Sequence, residues 1–323
     1  MSPPLTVRTL IEDASARLTR ARLAYGHGIP GPWDEAVYLV LHALKLPPGR
    51  LPSVLDHAIA PCARARAAAL IGERIRRRVP AAYLTREAWL GEDRFYVDER
   101  VIVPRSFIAE LVRERIAPWL RPRRRVHRAL DLCTGSGCLA IVLARTFTGA
   151  SVDAVDIDRG ALAVARRNVT AYRLRSRIRV LHSDMFAAVR GERYDLIIAN
   201  PPYVSADTMR KLPREYRHEP AIALASGADG LAAVRVILRE AAAHLTENGL
   251  LVVEVGHHRD RVEAAFAHHP FVWPLTSGGD DCVFILGRAE LAGVGAPPAL
   301  PPGQPLAPAR RRASRAIAAS RRR

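Results

Sequence analysis

Apolar positions near the start of the chain recur every three or four places. Leu5, Leu10, Ile11, Leu18 and Leu23 stand among Arg and Ala, a helical rhythm over 5–23. Gly26-His27-Gly28-Ile29-Pro30-Gly31-Pro32 breaks it. A second helix opens at Trp33-Asp34-Glu35, where two acids suit the positive end of the helix dipole, and runs to Leu44 before Leu46-Pro47-Pro48-Gly49 stops it. A third, very basic helix spans 63–78. From Val79 the period changes. Ala88 to Val97 reads as two short strands around Gly91-Glu92-Asp93, Asp98-Glu99-Arg100 turns the chain, and Val101–Ser106 leads into a helix over 107–120. Beyond the charged, proline-broken Arg121–Arg125 segment, apolar strands alternate with helices. Strands are expected at 128–132, 151–155, 178–181, 194–199 and 249–255, and helices at 138–147, 229–245 and, after a turn at Gly256-His257-His258, up to about 268. Residues 271–275 and 282–286 are expected to close the sheet as an antiparallel pair around Ser277–Asp281.

This alternation predicts an α/β protein built on a doubly wound, Rossmann-like, mostly parallel sheet. Four segments are expected: a small helical domain (1–85), a β-hairpin bridge (86–105), the α/β domain (106–290) and a Pro-, Ala- and Arg-rich tail (291–323) with no apolar period, expected to be disordered. Val204–Gly227, between strand and helix, is a long polar excursion of the kind that forms either a substrate lip or a plain surface loop.

Composition narrows the setting. The apolar fraction of 49% is ordinary for a globular protein, but the formal net charge is +17. The tail holds seven Arg and no acid, and Lys45 and Lys211 are the sole lysines. Such an excess favours encounter with polyanions without implying sequence-specific nucleic-acid recognition. Cys62, Cys133, Cys138 and Cys282 form no CxxC pair, so neither zinc nor a disulfide framework is indicated, and a reducing, cytoplasmic setting is expected. His257-His258 and His268-His269 are adjacent rather than four apart, and His27 and His57 stand alone, so no metal site is expected. No apolar run has membrane-spanning length, and the N-terminus lacks a signal-peptide pattern.

Candidate chemistry centres on Asn200-Pro201-Pro202-Tyr203, directly after the apolar run Tyr194–Ala199. Two prolines cannot extend a strand ladder. They can hold a stiff loop whose carbonyls point outward, while the Asn200 side chain adds an acceptor and Tyr203 an aromatic face. Two acceptors on a rigid loop suit a planar –NH2 group about to react; an ordinary strand-ending turn is the bland alternative. Upstream, Cys133-Thr134-Gly135-Ser136-Gly137 separates the first strand from its helix in a Gly-x-Gly-x-x-Ala pattern, which lets backbone approach a ligand at a helix N-terminus. Asp131 just before it would repel a pyrophosphate but attract an ammonium group. S-adenosylmethionine has an α-ammonium and no phosphate. Asp156, 21 residues beyond Gly135, is placed for ribose hydroxyls. In His182–Phe186, Asp184 could accept from an adenine amino group, with Met185 or Phe186 on its face or simply in the core. Ligands of open parallel sheets bind beyond the strand carboxyl ends, so Gly135, Asp156, Asp184 and Asn200 should share one crevice.

These residues carry a likeness. From about residue 5 to 290 the sequence resembles the bacterial protein glutamine N5-methyltransferases that modify release factors or a large-subunit ribosomal protein. The marks of the ribosomal (L-three) branch are Pro32-Trp33-Asp34-Glu35-Ala36, Pro80–Thr85, Phe95–Arg100, Val103-Pro104-Arg105-Ser106, Asp131–Cys138 and Glu215-Tyr216-Arg217-His218-Glu219-Pro220. The release-factor branch usually has Gly in place of Cys133 and Pro-Arg-Pro-Glu-Thr in place of Pro104–Ile108; the tail is a departure from the family. The resemblance implies a class I S-adenosylmethionine-dependent methyltransferase, with Cys133–Gly137, Asp156, Met185 and Asn200 at the cofactor and Asn200–Tyr203 clamping the substrate. It implies a glutamine-bearing loop of a large-subunit ribosomal protein as partner, in support of ribosome assembly. The basic surface suits contact with ribosomal RNA, and no membrane partner is expected. The implied step is direct methyl transfer to the glutamine side-chain nitrogen, Asn200 Oδ1 and the Pro201 carbonyl each accepting one N–H. No general base is evident from sequence. Rival readings are a release-factor methyltransferase, a DNA adenine N6-methyltransferase, whose target is also a planar –NH2, and a non-catalytic ribosome-binding factor that keeps the cofactor fold.

Overall fold

The computed structural model describes residues 5–120 and 125–292, so the expected disorder of the tail falls, from residue 293 on, outside the described residues. The N-terminal part is helical: α1 (Val7–Arg20), α2 (Pro32–Ala43), the short α3 (Leu51–Val54), α4 (Pro61–Arg77) and the one-turn α5 (Ala81–Thr85). Thr6 caps α1, its hydroxyl accepting the Thr9 N–H at 3.3 Å. The apolar rhythm becomes a core of Leu10, Ile11, Leu18, Leu39 and Ile71, all buried. Burial of each such side chain contributes about 1.5–3 kcal/mol. Through this core runs a buried ion pair in which Arg74 Nε donates to Glu35 Oε1 at 2.6 Å. Glu35 therefore does more than complement a helix dipole.

The hairpin β1 (Ala88–Leu90) and β2 (Asp93–Phe95) follows. It is stitched to the next layer by Asn168, whose Oδ1 accepts the Tyr96 N–H at 2.8 Å and whose Nδ2 donates to Ser136 O at 2.8 Å.

The second half alternates as expected: α6 (Ile108–Arg113), β3 (Arg128–Leu132), α7 (Cys138–Thr146), β4 (Ser151–Asp156), α8 (Arg159–Ala171), β5 (Ile178–His182), β6 (Tyr194–Ala199), α9 (Ala206–Lys211), α10 (Ala232–His244), β7 (Leu245–Glu254), α11 (Arg259–Ala265), β8 (Val283–Gly287) and α12 (Arg288–Ala292). The strand order is β5-β4-β3-β6-β7-β8, parallel except for β8, which runs antiparallel to β7. α6, α7 and α8 pack on one face, α10, α11 and α12 on the other. Strand order reverses between β3 and β6, and there ligands of such sheets bind.

Two expected elements are cut back furthest. The helix expected over 107–120 ends at Arg113; Arg115 and Ile116 take positive φ, and Pro118 has no N–H to continue the ladder. The pair 271–275/282–286 is reduced to a bridge between Val272 and Ile285, because Pro270 and Pro274 flank it and cannot donate. The excursion after β6 is not free. Val204 bridges Ala225, and two buried acids, Glu215 and Glu219, pin it from within. No helix of the described residues is long and apolar enough to cross a membrane.

Candidate active site

The carboxyl ends of β3, β4, β5 and β6 open into one cleft lined by Cys133, Gly135, Asp156, Asp184, Met185, Asn200 and Pro202. The linker residues Arg100, Val101 and Ile102 and the excursion residues Pro220, Ile222 and Ala223 close over it. Thr134, Ser136 and Gly137 do not line the cleft but shape it from below. Thr134 N–H donates to Val155 O at 2.9 Å, and Gly137 N–H to Thr134 O at 2.9 Å. Gly137 sits at φ +78°, and a Cβ there would lie 3.1 Å from that of Ala165 on α8, so this corner has no room for a side chain.

Asp131 lies under the glycine turn rather than on the cleft wall. It is 0% exposed, and one oxygen, Oδ2, accepts the Thr134 hydroxyl at 2.5 Å and the Ala140 N–H at 3.0 Å. Oδ1 is buried with no partner. Burial, with a smaller push from Asp156, moves its carboxyl from 3.8 to about 7 against those two hydrogen bonds. That oxygen is closed off behind the turn, so the direct ammonium contact expected from the sequence is not open in this arrangement, and the acid braces the turn from beneath. Asp156 accepts the Gly135 N–H at 2.8 Å through Oδ2 and the Asp158 N–H at 2.9 Å through Oδ1. Each of its oxygens keeps a lone pair for a hydroxyl. Cys133 holds positive φ, and burial raises its thiol pKa, so it enters the site as an apolar group. Met185 also holds positive φ, its carbonyl accepting the Ser183 hydroxyl at 2.7 Å, whereas Phe186 turns into the core and stacks on His244 at 4.6 Å.

On the far side of Asn200-Pro201-Pro202-Tyr203 lies a second cavity. Gly26, Gly28, Trp89, Pro104, Arg105, Tyr203, Tyr216 and Glu254 are among its lining residues. The tetrapeptide thus forms a wall. Asn200 and Pro202 face the first cleft, and Tyr203 faces the second cavity. The Asn200 carboxamide takes no hydrogen bond among the described residues, so its acceptor is unspent.

Several residues here escaped the sequence reading. Ile157, 46% exposed, offers an apolar face beside Asp156; an apolar residue directly after the strand-end acid was the signal for it. Arg105 donates to Glu219 at 2.5 and 2.9 Å, and the same carboxylate accepts the Val103 N–H at 3.0 Å. His27 stacks on Tyr216 with ring centroids 4.3 Å apart, and burial lowers its pKa to about 4. Arg78 reaches Glu215 at 2.5 Å, and Glu215 also accepts the Ala24 N–H at 3.1 Å. These bonds fasten the helical part, the linker and the excursion around the two cavities. His257 pairs with Asp281 at 3.0 Å beside the Cys282 thiol, a group whose members satisfy one another.

Comparison with known proteins agrees with the geometry. Residues 117–215 match the family model of the methyltransferase small domain. The chain is 53% identical over 286 residues, 88% of its length and 96% of the relative's, to the ribosomal protein uL3 glutamine methyltransferase of Bordetella pertussis. It is 51% identical over 300 residues to the protein of that name from Burkholderia pseudomallei, covering 91% of this chain and 98% of the other. A third such relative, from Neisseria meningitidis serogroup B, is 50% identical over 288 residues, covering 89% of this chain and 95% of its own. The chain is an S-adenosylmethionine-dependent methyltransferase, and it belongs to the ribosomal protein uL3 glutamine methyltransferase family.

Proposed function

We propose that this protein methylates the side-chain nitrogen of a glutamine in ribosomal protein uL3, and that Asn200-Pro201-Pro202-Tyr203 is the clamp. The observation that carries this is the wall itself: the tetrapeptide stands between a cleft that suits the cofactor and a cavity open to a protein substrate. When bound, S-adenosylmethionine supplies an electrophilic methyl group on a sulfonium. Asp156 would hold ribose hydroxyls and Asp184 and Met185 the adenine, with Asp131 bracing from beneath the turn that Cys133, Thr134, Gly135, Ser136 and Gly137 form and that lets backbone approach. Ile157 adds an apolar contact for the base.

An amide nitrogen is a poor nucleophile because its lone pair is delocalised. Asn200 Oδ1 and the Pro201 carbonyl would each accept one of its hydrogens, turning the nitrogen toward the cleft. Pro202 keeps the loop stiff, and Tyr203 packs against the carboxamide plane. Catalysis is then positioning plus two dipoles aimed at the charge that grows on nitrogen.

The helical part (1–85) and the hairpin linker (86–105) would receive the glutamine-bearing loop from the α/β domain's open side. On α4 the exposed Arg64, together with Arg76 and Arg77, which share Glu73 as a counter-charge, suits phosphate contact if uL3 is presented with ribosomal RNA. The four cysteines are unpaired, in keeping with a cytoplasmic setting. The test is to incubate purified protein with uL3, with release factor and with duplex DNA, and to locate added CH2 by mass spectrometry. Modification of one uL3 glutamine is expected. Modification of release factor or DNA instead would overturn the substrate assignment.

A further inference from the structure

Methylating an amide nitrogen releases a proton: –NH2 becomes –NHCH3. The clamp has no group to take it. Its two acceptors are neutral carbonyls, and burial pushes the Tyr203 phenol up to about 12, so it is already protonated. The sequence offered no base either.

The structure offers one. Glu254 ends β7, the strand beside β6, and the register pairs Ala199 with Val253, so Glu254 emerges alongside Asn200 at the inter-strand spacing of about 4.8 Å. It is 2% exposed and lines the second cavity together with Tyr203. Oε2 accepts the Ser106 hydroxyl at 2.5 Å and the Phe107 N–H at 2.9 Å, while Oε1 takes no hydrogen bond among the described residues. The neighbouring carboxylates are committed. Glu219 is occupied by Arg105, and Glu110, on the same cavity, by the Ser277 N–H at 2.9 Å and its hydroxyl.

We propose, resting on the function proposed above, that the Glu254 carboxylate is the proton acceptor and that Ser106 is its positioning residue. The nitrogen lone pair forms the N–CH3 bond, and the electron pair of the breaking S–CH3 bond stays on sulfur. The positively charged nitrogen then gives one hydrogen to Glu254, and water removes it after the product leaves. Burial raises the Glu254 carboxyl from 4.5 to about 7, against the Ser106 hydroxyl, the Phe107 and Ile108 N–H groups and the charge of Arg105. That is the range of an efficient acceptor near neutral pH. From the other elements packed on it, Tyr203 and Cys282 face it as neutral groups, the thiol pushed up to about 12.

The alternative role is purely structural: Glu254 tethers the linker to β7. Glu254→Gln separates the two, because it keeps the shape and an oxygen for Ser106 and Phe107. Loss of a general base costs about 100-fold or more in kcat, with KM for uL3 and for the cofactor unchanged. In the wild type kcat should rise with pH through about 7, and in the variant that rise should vanish. Infrared titration of the cofactor-free protein should show carboxylic C=O intensity lost near pH 7 from both Asp131 and Glu254, and the wild-type minus Glu254→Gln difference should isolate the Glu254 band. If Glu254→Gln does not fold, Glu254→Asp should keep the pH-dependent rise at a lower kcat. Wild-type kcat in Glu254→Gln, or a Glu254 already ionised at about pH 5, would overturn the proposal. If the wild type transfers no methyl to uL3, the proposed function fails instead, and the infrared titration still decides whether this carboxyl titrates near neutrality.

Discussion

Glu219→Gln is the sharpest probe of how the two cavities are held together. The Glu219 side chain is fully buried and that of Arg105 is 18% exposed, and the pair meets in a two-pronged contact at 2.5 and 2.9 Å. The same carboxylate accepts the Val103 N–H at 3.0 Å. Glutamine fits the space and can still accept one hydrogen bond. It leaves the Arg105 guanidinium buried without a counter-charge and sets an –NH2 against it. Breaking one side of a buried pair costs about 3–5 kcal/mol. With a urea slope of about 3 kcal/mol per molar, the unfolding midpoint should fall by about 1 M or more. The matched control is Glu99→Gln, which removes an exposed pair with Arg86 at 3.5 Å and should change stability by roughly 0–1 kcal/mol. Pro220, Ile222 and Ala223 follow Glu219 and line the cofactor cleft, so Glu219→Gln should also raise KM for S-adenosylmethionine. Equal stability of the two variants would refute the view that this pair fastens the excursion to the linker.

Asn200→Ala should fold, still bind the cofactor by calorimetry though less tightly, because Asn200 lines that cleft, and lose about 100-fold or more in kcat for uL3 methylation at saturating cofactor, since one oriented acceptor is removed. Gly256→Ala places a Cβ 2.9 Å from Tyr203 Cε2 at a backbone φ of +59°, so the ring must move; KM for uL3 should rise while cofactor affinity holds. From about pH 4.5 up to about 7, two buried carboxyls should make stability fall as pH rises. Asp131 and Glu254 are held near 7 in the fold against ordinary values of 3.8 and 4.5, so the stability they contribute is present in acid and is lost as pH climbs through about 7. Urea titrations at a series of pH values should show a slope of up to about 1.4 kcal/mol per pH unit per group, shallower in Glu254→Gln.

The alternation of apolar strands with helices was legible because strands buried on both faces, such as Tyr194–Ala199, are continuous apolar runs that little else explains. The turns that failed to match were those where proline overrode an apolar pattern, at Pro118 and around Val272. Charge placement was not legible. Glu35, Arg74 and Glu215 look on paper like members of solvated helix or loop faces, yet all three are buried, and the partners that make this tolerable lie far away in sequence. The Glu215–Pro220 stretch could be recognised by resemblance, but its work of pinning the excursion to Arg78 and Arg105 exists only in three dimensions. Glycines and acids at strand ends could be assigned to one crevice from topology. Which of them line it depended on depth: Asp131 sits below the turn, while Cys133 and Gly135 reach the surface of the cleft. Glu254 gave no signal, because a single acid after an apolar strand is commonplace; its importance comes from the neighbouring strand in register.

A crystal structure of the protein with S-adenosylhomocysteine and a glutamine peptide of uL3 would test the clamp most directly. The glutamine should enter from the Tyr203 cavity, with its nitrogen within hydrogen-bond distance of Asn200 Oδ1 and the Pro201 carbonyl and facing the cofactor sulfur. A glutamine lodged elsewhere, with those two oxygens turned away from it, would contradict the clamp outright.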